Sequence, residues 1–180
     1  NASVHSSNGA TPNDMKQYAL TAAPIDGLTV LASYYAFGDA GKSDDRQTAE
    51  GGSLSANYSI GQVSVGYGET RHAPAQLMNQ AVNTVATQHY ENNAYSIGFA
   101  VNDNLSVSYT QEDSEKLQKK KVALANTTTR SDVEMEMQTI DLSYTLGGAT
   151  LGISQSEITN DSYTQGDDTK ETIFAIALAF

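Results

Sequence analysis

Three histidines, His5, His72 and His89, are the side chains of this chain best suited to move a proton near neutral pH, and they lie far apart in polar segments. A catalytic triad needs nucleophile, base and orienting carboxylate within hydrogen-bond reach, and a zinc site needs closely grouped ligands. Histidines this scattered predict neither. The chain has no cysteine, hence no thiolate ligand, no thiol nucleophile and no disulfide framework. No nucleophile elbow, phosphate-binding loop or dinucleotide fingerprint occurs. Asp161, Asp167 and Asp168 offer oxygen ligands of the kind calcium takes, but without the twelve-residue ligand spacing, so a solvated acidic loop is expected. Lys119, Lys120 and Lys121 would attract an anionic surface such as lipopolysaccharide, were they not diluted by Glu112, Asp113 and Glu115. Catalytic residues, metal and cofactor are therefore all expected to be absent.

Asp141 is different because of what surrounds it. It stands mid-segment between Ile140 and Leu142, inside a stretch that alternates apolar and polar residues with period two. Such alternation puts successive side chains on opposite faces of a strand, so Asp141 must face away from Ile140 and Leu142. Ser55, Asn57, Ser59, Ser64, Ser106, Ser108, Thr110, Ser143 and Ser154 occupy the equivalent polar positions of other alternating segments. A dry interior would not tolerate so many small hydroxyls. The ten residues together predict a wet, pore-lining face, with Asp141 biasing it towards cations.

About nine such segments recur. The last, residues 171–180, places Phe174, Ile176, Leu178 and Phe180 on one face and Ile173, Ala175, Ala177 and Ala179 on the other. One face is bulky and apolar, the other mostly small, as in a strand showing large side chains to lipid. Tight turns are expected at 24–27, 60–62, 102–104 and 147–148, and long polar connections at 38–51, 71–92, 113–134 and 159–170. Short and long alternate strictly. In an antiparallel meander every second connection leaves on the same side, so one rim carries turns and the other loops, the arrangement of outer-membrane barrels. Within 76–87, Leu77, Ala81 and Val85 have helical spacing, so a short helix is expected there.

Aromatic placement agrees. Tyr58, Phe99, Tyr144 and Phe180 fall beside the tight-turn rim, and Tyr34, Tyr67, Tyr95 and Tyr109 towards the long-loop rim, as two interfacial girdles would. A net charge of -11 argues against nucleic acid as partner. No apolar run reaches the roughly 18 residues of a membrane-spanning helix. A mean hydropathy of -0.40 does not oppose spanning by strands, which show lipid only alternate residues.

The runs TAAPIDGLTV at 21–30, GYGET at 66–70 and SIGFAVNDNLSVSY at 96–109, with the tail closing on Phe180, resemble the C-terminal half of Gram-negative general porins of the alphaproteobacterial kind. The resemblance implies a 16-stranded outer-membrane barrel, usually a homotrimer in lipid, passing ions and small hydrophilic solutes by diffusion. The fold class expected is all-β, an antiparallel transmembrane barrel segment. Residues 14–180 would be its C-terminal portion and 1–13 the remnant of an extracellular loop, so that the chain is a fragment and does not conduct alone. The constriction loop of the family would lie upstream, and none of its residues is carried over. Two other readings compete. A small outer-membrane barrel enzyme would bring carboxylates and histidine together at the loop rim. A soluble β-sandwich adhesin or binding module would pack two sheets around a dry core.

Overall fold

The computed structural model of the chain describes residues 2–6, 15–38, 46–77, 85–122, 125–130 and 133–178. Its strands are β1 (Ala2–Ser6), β2 (Met15–Ala22), β3 (Leu28–Phe37), β4 (Arg46–Gln47), β5 (Glu50–Ile60), β6 (Val63–Ala73), β7 (Gln76–Leu77), β8 (Val85–Asn102), β9 (Leu105–Val122), β10 (Ala125–Arg130), β11 (Met135–Leu146), β12 (Ala149–Thr159) and β13 (Thr169–Leu178). One antiparallel sheet runs β1-β2-β3-β5-β6-β8-β9-β11-β12-β13, with β10 added to the far part of β9 and β4–β7 a separate short pair. Each inner strand of the long path pairs with the path's strand before and after it, and β1 and β13 form its two edges among the described residues.

The tight turns are built by local chemistry. After Pro24, Leu28 N–H donates to the Ile25 carbonyl at 3.2 Å, and Gly27 takes φ 78°. A side chain at 27 would run into the Ser59 backbone carbonyl, so this left-handed position admits glycine alone. Between β8 and β9, Asn102 Oδ1 accepts from the amides of Asn104 at 2.9 Å and Leu105 at 3.0 Å, an Asx turn that reverses the chain without glycine.

Register sorts the side chains. Residues directly opposite share a face, and one row runs Ile60, Val63, Phe99, Val107, Leu142, Ile153 and Phe174. The next runs Tyr58, Val65, Ile97, Tyr109 and Ile140. Both are apolar across five or more strands. Among the described residues the sheet has no second layer against it: Phe174 is 75% exposed and Ile176 70%, and Ala86 is the sole buried apolar residue. A sandwich would bury one such face in a dry core, so the β-sandwich alternative does not match this chain. A continuous apolar face that nothing covers is the outside of a membrane barrel. About eleven residues at roughly 3.3 Å, tilted near 45°, span on the order of 25 Å, the height of that band.

Two expectations need correction. Residues 71–92 and 113–134 are not mainly loop: β8 and β9 are 18 residues each and stay paired from Phe99–Val107 up to Val85–Lys120. Once a ladder is running, paired backbone amides hold it without an apolar face, so alternation of apolar and polar residues does not mark these upper stretches. The described parts of 76–87 are extended, as β7 and the start of β8, rather than helical; residues 78–84 lie outside the described residues. Within residues 1–13, Ala2–Ser6 pairs with Lys16–Leu20 as a strand.

Candidate channel-lining face

Opposite the apolar face, the same register brings the expected polar residues together. Ser55, Asn57 and Ser59 of β5 share a face with Ser64 of β6, whose row continues through Gly98, Ser108, Asp141 and Ser154. Ser106 stands opposite Ser143, and Thr110 opposite Thr139. All ten predicted residues lie on this one face, with Leu31 and Ile173 and, towards the loop end, Met135, Met137 and Ile158 as apolar exceptions. Small side chains bond across strands: Ser33 to Ser53 at 2.7 Å, Thr139 to Ser156 at 2.9 Å and Thr145 to Thr150 at 3.1 Å. Ser108 donates to Asp141 Oδ2 at 3.4 Å, which tethers the carboxylate to the β9 side of its strand.

Above this band the polar face changes character. Tyr35 of β3 reaches His72 of β6, its Oη 2.6 Å from Nδ1. His72 lies parallel to Tyr90 of β8, with centroids 6.3 Å apart and planes inclined by 8°. Tyr163, in a 3-10 turn at Asp161–Tyr163, meets Tyr90 at 5.9 Å and bonds Ser114 Oγ at 2.7 Å. Ser114 also donates to Asn92 Oδ1, whose amide donates to Thr70 at 2.9 Å, so a serine only 1% exposed is fully partnered.

Tyr163 gets there because the β12–β13 connection folds over β11 to reach β9 and β8. Asn160, Ser162 and Tyr163 take φ of 55°, 56° and 59°, a cost of about 1–3 kcal/mol each for residues with a Cβ. A dense set of bonds offsets it. Asn160 Nδ2 donates to the Glu134 carbonyl at 3.0 Å, its Oδ1 accepts from Gly166, and its amide donates to Asp168 Oδ1. Asp161 Oδ2 accepts from the Thr169 hydroxyl at 3.1 Å. Of the acidic residues considered for calcium, Asp168 thus caps the backbone amide of Asn160 and Asp161 accepts from the hydroxyls of Ser162 and Thr169, and no group of three or more His, Asp or Glu is placed to hold a metal among the described residues. Burial against the sheet raises the Tyr163 hydroxyl above its usual pKa, opposed by the bond to Ser114 and assisted by Tyr90 and Glu112.

The apolar side has its own rim. Tyr67 and Tyr95 are paired with centroids 5.4 Å apart, Tyr34 stands on the same face in the row of Gly52 and Arg71 and Tyr109 in the row of Ile97, and Tyr58, Phe99 and Tyr144 border the tight turns. Phe180 lies outside the described residues. Above Tyr67, Arg71 bridges Glu69 at 3.1 Å and Glu91 at 2.7 Å, and His89 sits 3.9 Å from Glu91. A cavity of about 590 Å³ opens here between Tyr34, Gly52, Leu54, Glu69, Arg71 and His89. His72 and His89 therefore point to opposite faces of the sheet, so the two do not converge. Sequence reading missed the ring cluster, although Tyr35 standing out of phase with Tyr34 was a signal for it.

Fold and faces define a segment of an antiparallel membrane β-barrel. A solved structure of a porin shares this architecture, with a TM-score of 0.54 at 18% identity, covering 94% of this chain and 58% of the porin's. The fold is thus porin-like, and the chain spans a little over half of that porin's length. No family model and no curated protein matches the sequence.

Proposed function

We propose that this chain forms part of an outer-membrane channel through which ions and small hydrophilic solutes diffuse passively. One observation carries the reading: a single-layer sheet with one continuous apolar face and one face of serine, threonine, asparagine and Asp141. A closed barrel of such strands shows the first to lipid and the second to water, which solvates hydroxyls that no protein layer covers. Ser55, Asn57, Ser59, Ser64, Ser106, Ser108, Thr110, Asp141, Ser143 and Ser154 then line the lumen. Asp141 and the acidic balance favour cations mildly. Residues 14–180 act as the C-terminal portion of the barrel, in a homotrimer of the alphaproteobacterial general-porin type.

The enzyme alternative needs a nucleophile or ordered water beside a carboxylate and a histidine at the loop rim; His89 does lie 3.9 Å from Glu91 there, on the apolar side, while His72 on the polar face is held by Tyr35. Planar-bilayer recording of the full-length protein tests the proposal. Ohmic, unsaturated conductance with mild cation preference is expected; absence of conductance, or strong anion preference, would overturn it.

A further inference from the structure

The upper polar face carries rings where the lower carries hydroxyls. Tyr35, His72, Tyr90 and Tyr163 follow one another with centroids 6.3, 6.3 and 5.9 Å apart and planes inclined by 34°, 8° and 36°. Two of them are fixed by their hydroxyls, Tyr35 to His72 and Tyr163 to Ser114, which holds the rings in place before any solute arrives. Lys116 Nζ stands 6.0 Å from the Tyr90 centroid and 5.7 Å from that of Tyr163. Tyr163 is brought in by a loop that adopts three left-handed residues to do so.

We infer that this strip is a binding subsite for small neutral carbohydrates at the loop end of the polar face, an inference that rests on the channel reading for how the solute arrives. A sugar ring has an apolar C–H face and a rim of hydroxyls. The first covers an aromatic ring and loses its hydration there; the second meets the ammonium donors of Lys116 and the neighbouring hydroxyls. A charged solute suits the strip less well. Glu112 shares this face of β9 with Ser114 and Lys116, so an anion meets the carboxylate and a cation meets the ammonium. A neutral polyol is opposed by neither. Rings already held in position lower the ordering cost of binding.

Saturation-transfer NMR on the full-length protein in detergent, with a linear glucose trisaccharide and with benzoate as probes, tests the inference. Transfer to the C–H protons of the sugar is expected. Tyr90→Ala and Tyr163→Ala should each weaken its affinity about tenfold, Tyr163→Phe, which keeps the ring but loses its bond to Ser114, should cost clearly less than Tyr163→Ala, and Tyr109→Ala on the opposite face should leave it unchanged. No transfer to the sugar, undiminished transfer in both alanine variants, or preference for benzoate would overturn the proposal. So would equal losses in Tyr163→Phe and Tyr163→Ala, which would assign the effect to loop anchoring. Bilayer recording on the same preparation separates the two readings: conductance without sugar binding overturns the subsite alone, and sugar binding without conductance overturns the channel alone.

Discussion

The Tyr35 hydroxyl lies 2.6 Å from Nδ1 of His72, two strands away, and the side chain reaches it by crossing Gly51. A Cβ at position 51 would stand 2.8 Å from Tyr35 Oη and 2.8 Å from the Arg71 carbonyl oxygen. The tyrosine could swing away; the backbone oxygen could not without breaking the β5–β6 ladder. Gly51→Ala should therefore destabilise the barrel by about 1–3 kcal/mol. Gly68 provides the control, because a methyl there meets only ordinary contacts at 3.8 and 4.0 Å. Urea midpoints of the two variants should separate, and equal midpoints would defeat the steric account.

Ser96 and Ile97 are neighbours in β8 on opposite faces. Spin labels at the two sites should respond in opposite senses to a lipid-soluble and a water-soluble relaxation agent. A one-residue slip would exchange them. Ile97→Arg, placing a charge within the apolar band, should cost about 2–4 kcal/mol in lipid. A loss below a few tenths would show that this face does not meet hydrocarbon.

The carboxyl of Glu134 is held above its ordinary pKa of 4.5, first by a hydrogen bond with Glu115, then by burial and by the charges of Glu115, Glu136 and Asp113. Here the folded state binds a proton that the unfolded chain releases. Stability from this group is present below 4.5 and is lost as pH rises through the folded value. The β10–β11 segment should thus be held more firmly in acid, and Glu134→Gln should keep that hold at neutral pH. Carboxyl-carbon NMR titration checks the direction, and a midpoint at or below 4.5 would contradict it.

Asp141 should matter to ions in proportion to how little salt screens it. With a Debye length of about 10 Å at 0.1 M and about 3 Å at 1 M, Asp141→Asn should lower cation preference roughly twofold in dilute salt and hardly at all in concentrated salt. Reversal potentials across a salt gradient measure this. An unchanged ratio at both concentrations would remove Asp141 from the permeation path.

Much of this fold was legible because alternation, turn residues and lipid exposure all act locally. Val63, Val65 and Tyr67 reveal their face without any knowledge of partners, and the register confirmed it. The upper reaches of β8 and β9 were not legible. From Asn92 and Ser114 upwards both faces of the ladder carry polar residues, so periodicity falls silent while hydrogen bonding between the strands persists. The ring strip was hidden for another reason. Tyr163 meets Tyr90 only because a loop crosses β11, a long-range placement that no spacing along the chain encodes.

The meander β1-β2-β3-β5-β6-β8-β9-β11-β12-β13 has a kinetic meaning as well as a geometric one. Every strand finds its partner in the next long strand of the sequence, so loop-closure entropy is met in small instalments and contact order stays low for a sheet. Such a chain can zip hairpin by hairpin, each new strand satisfying the exposed edge left by the one before it. A sheet with crossovers would have to carry unsatisfied edges through hydrocarbon until distant strands arrived. The strand order itself is therefore a folding route compatible with entry into a membrane.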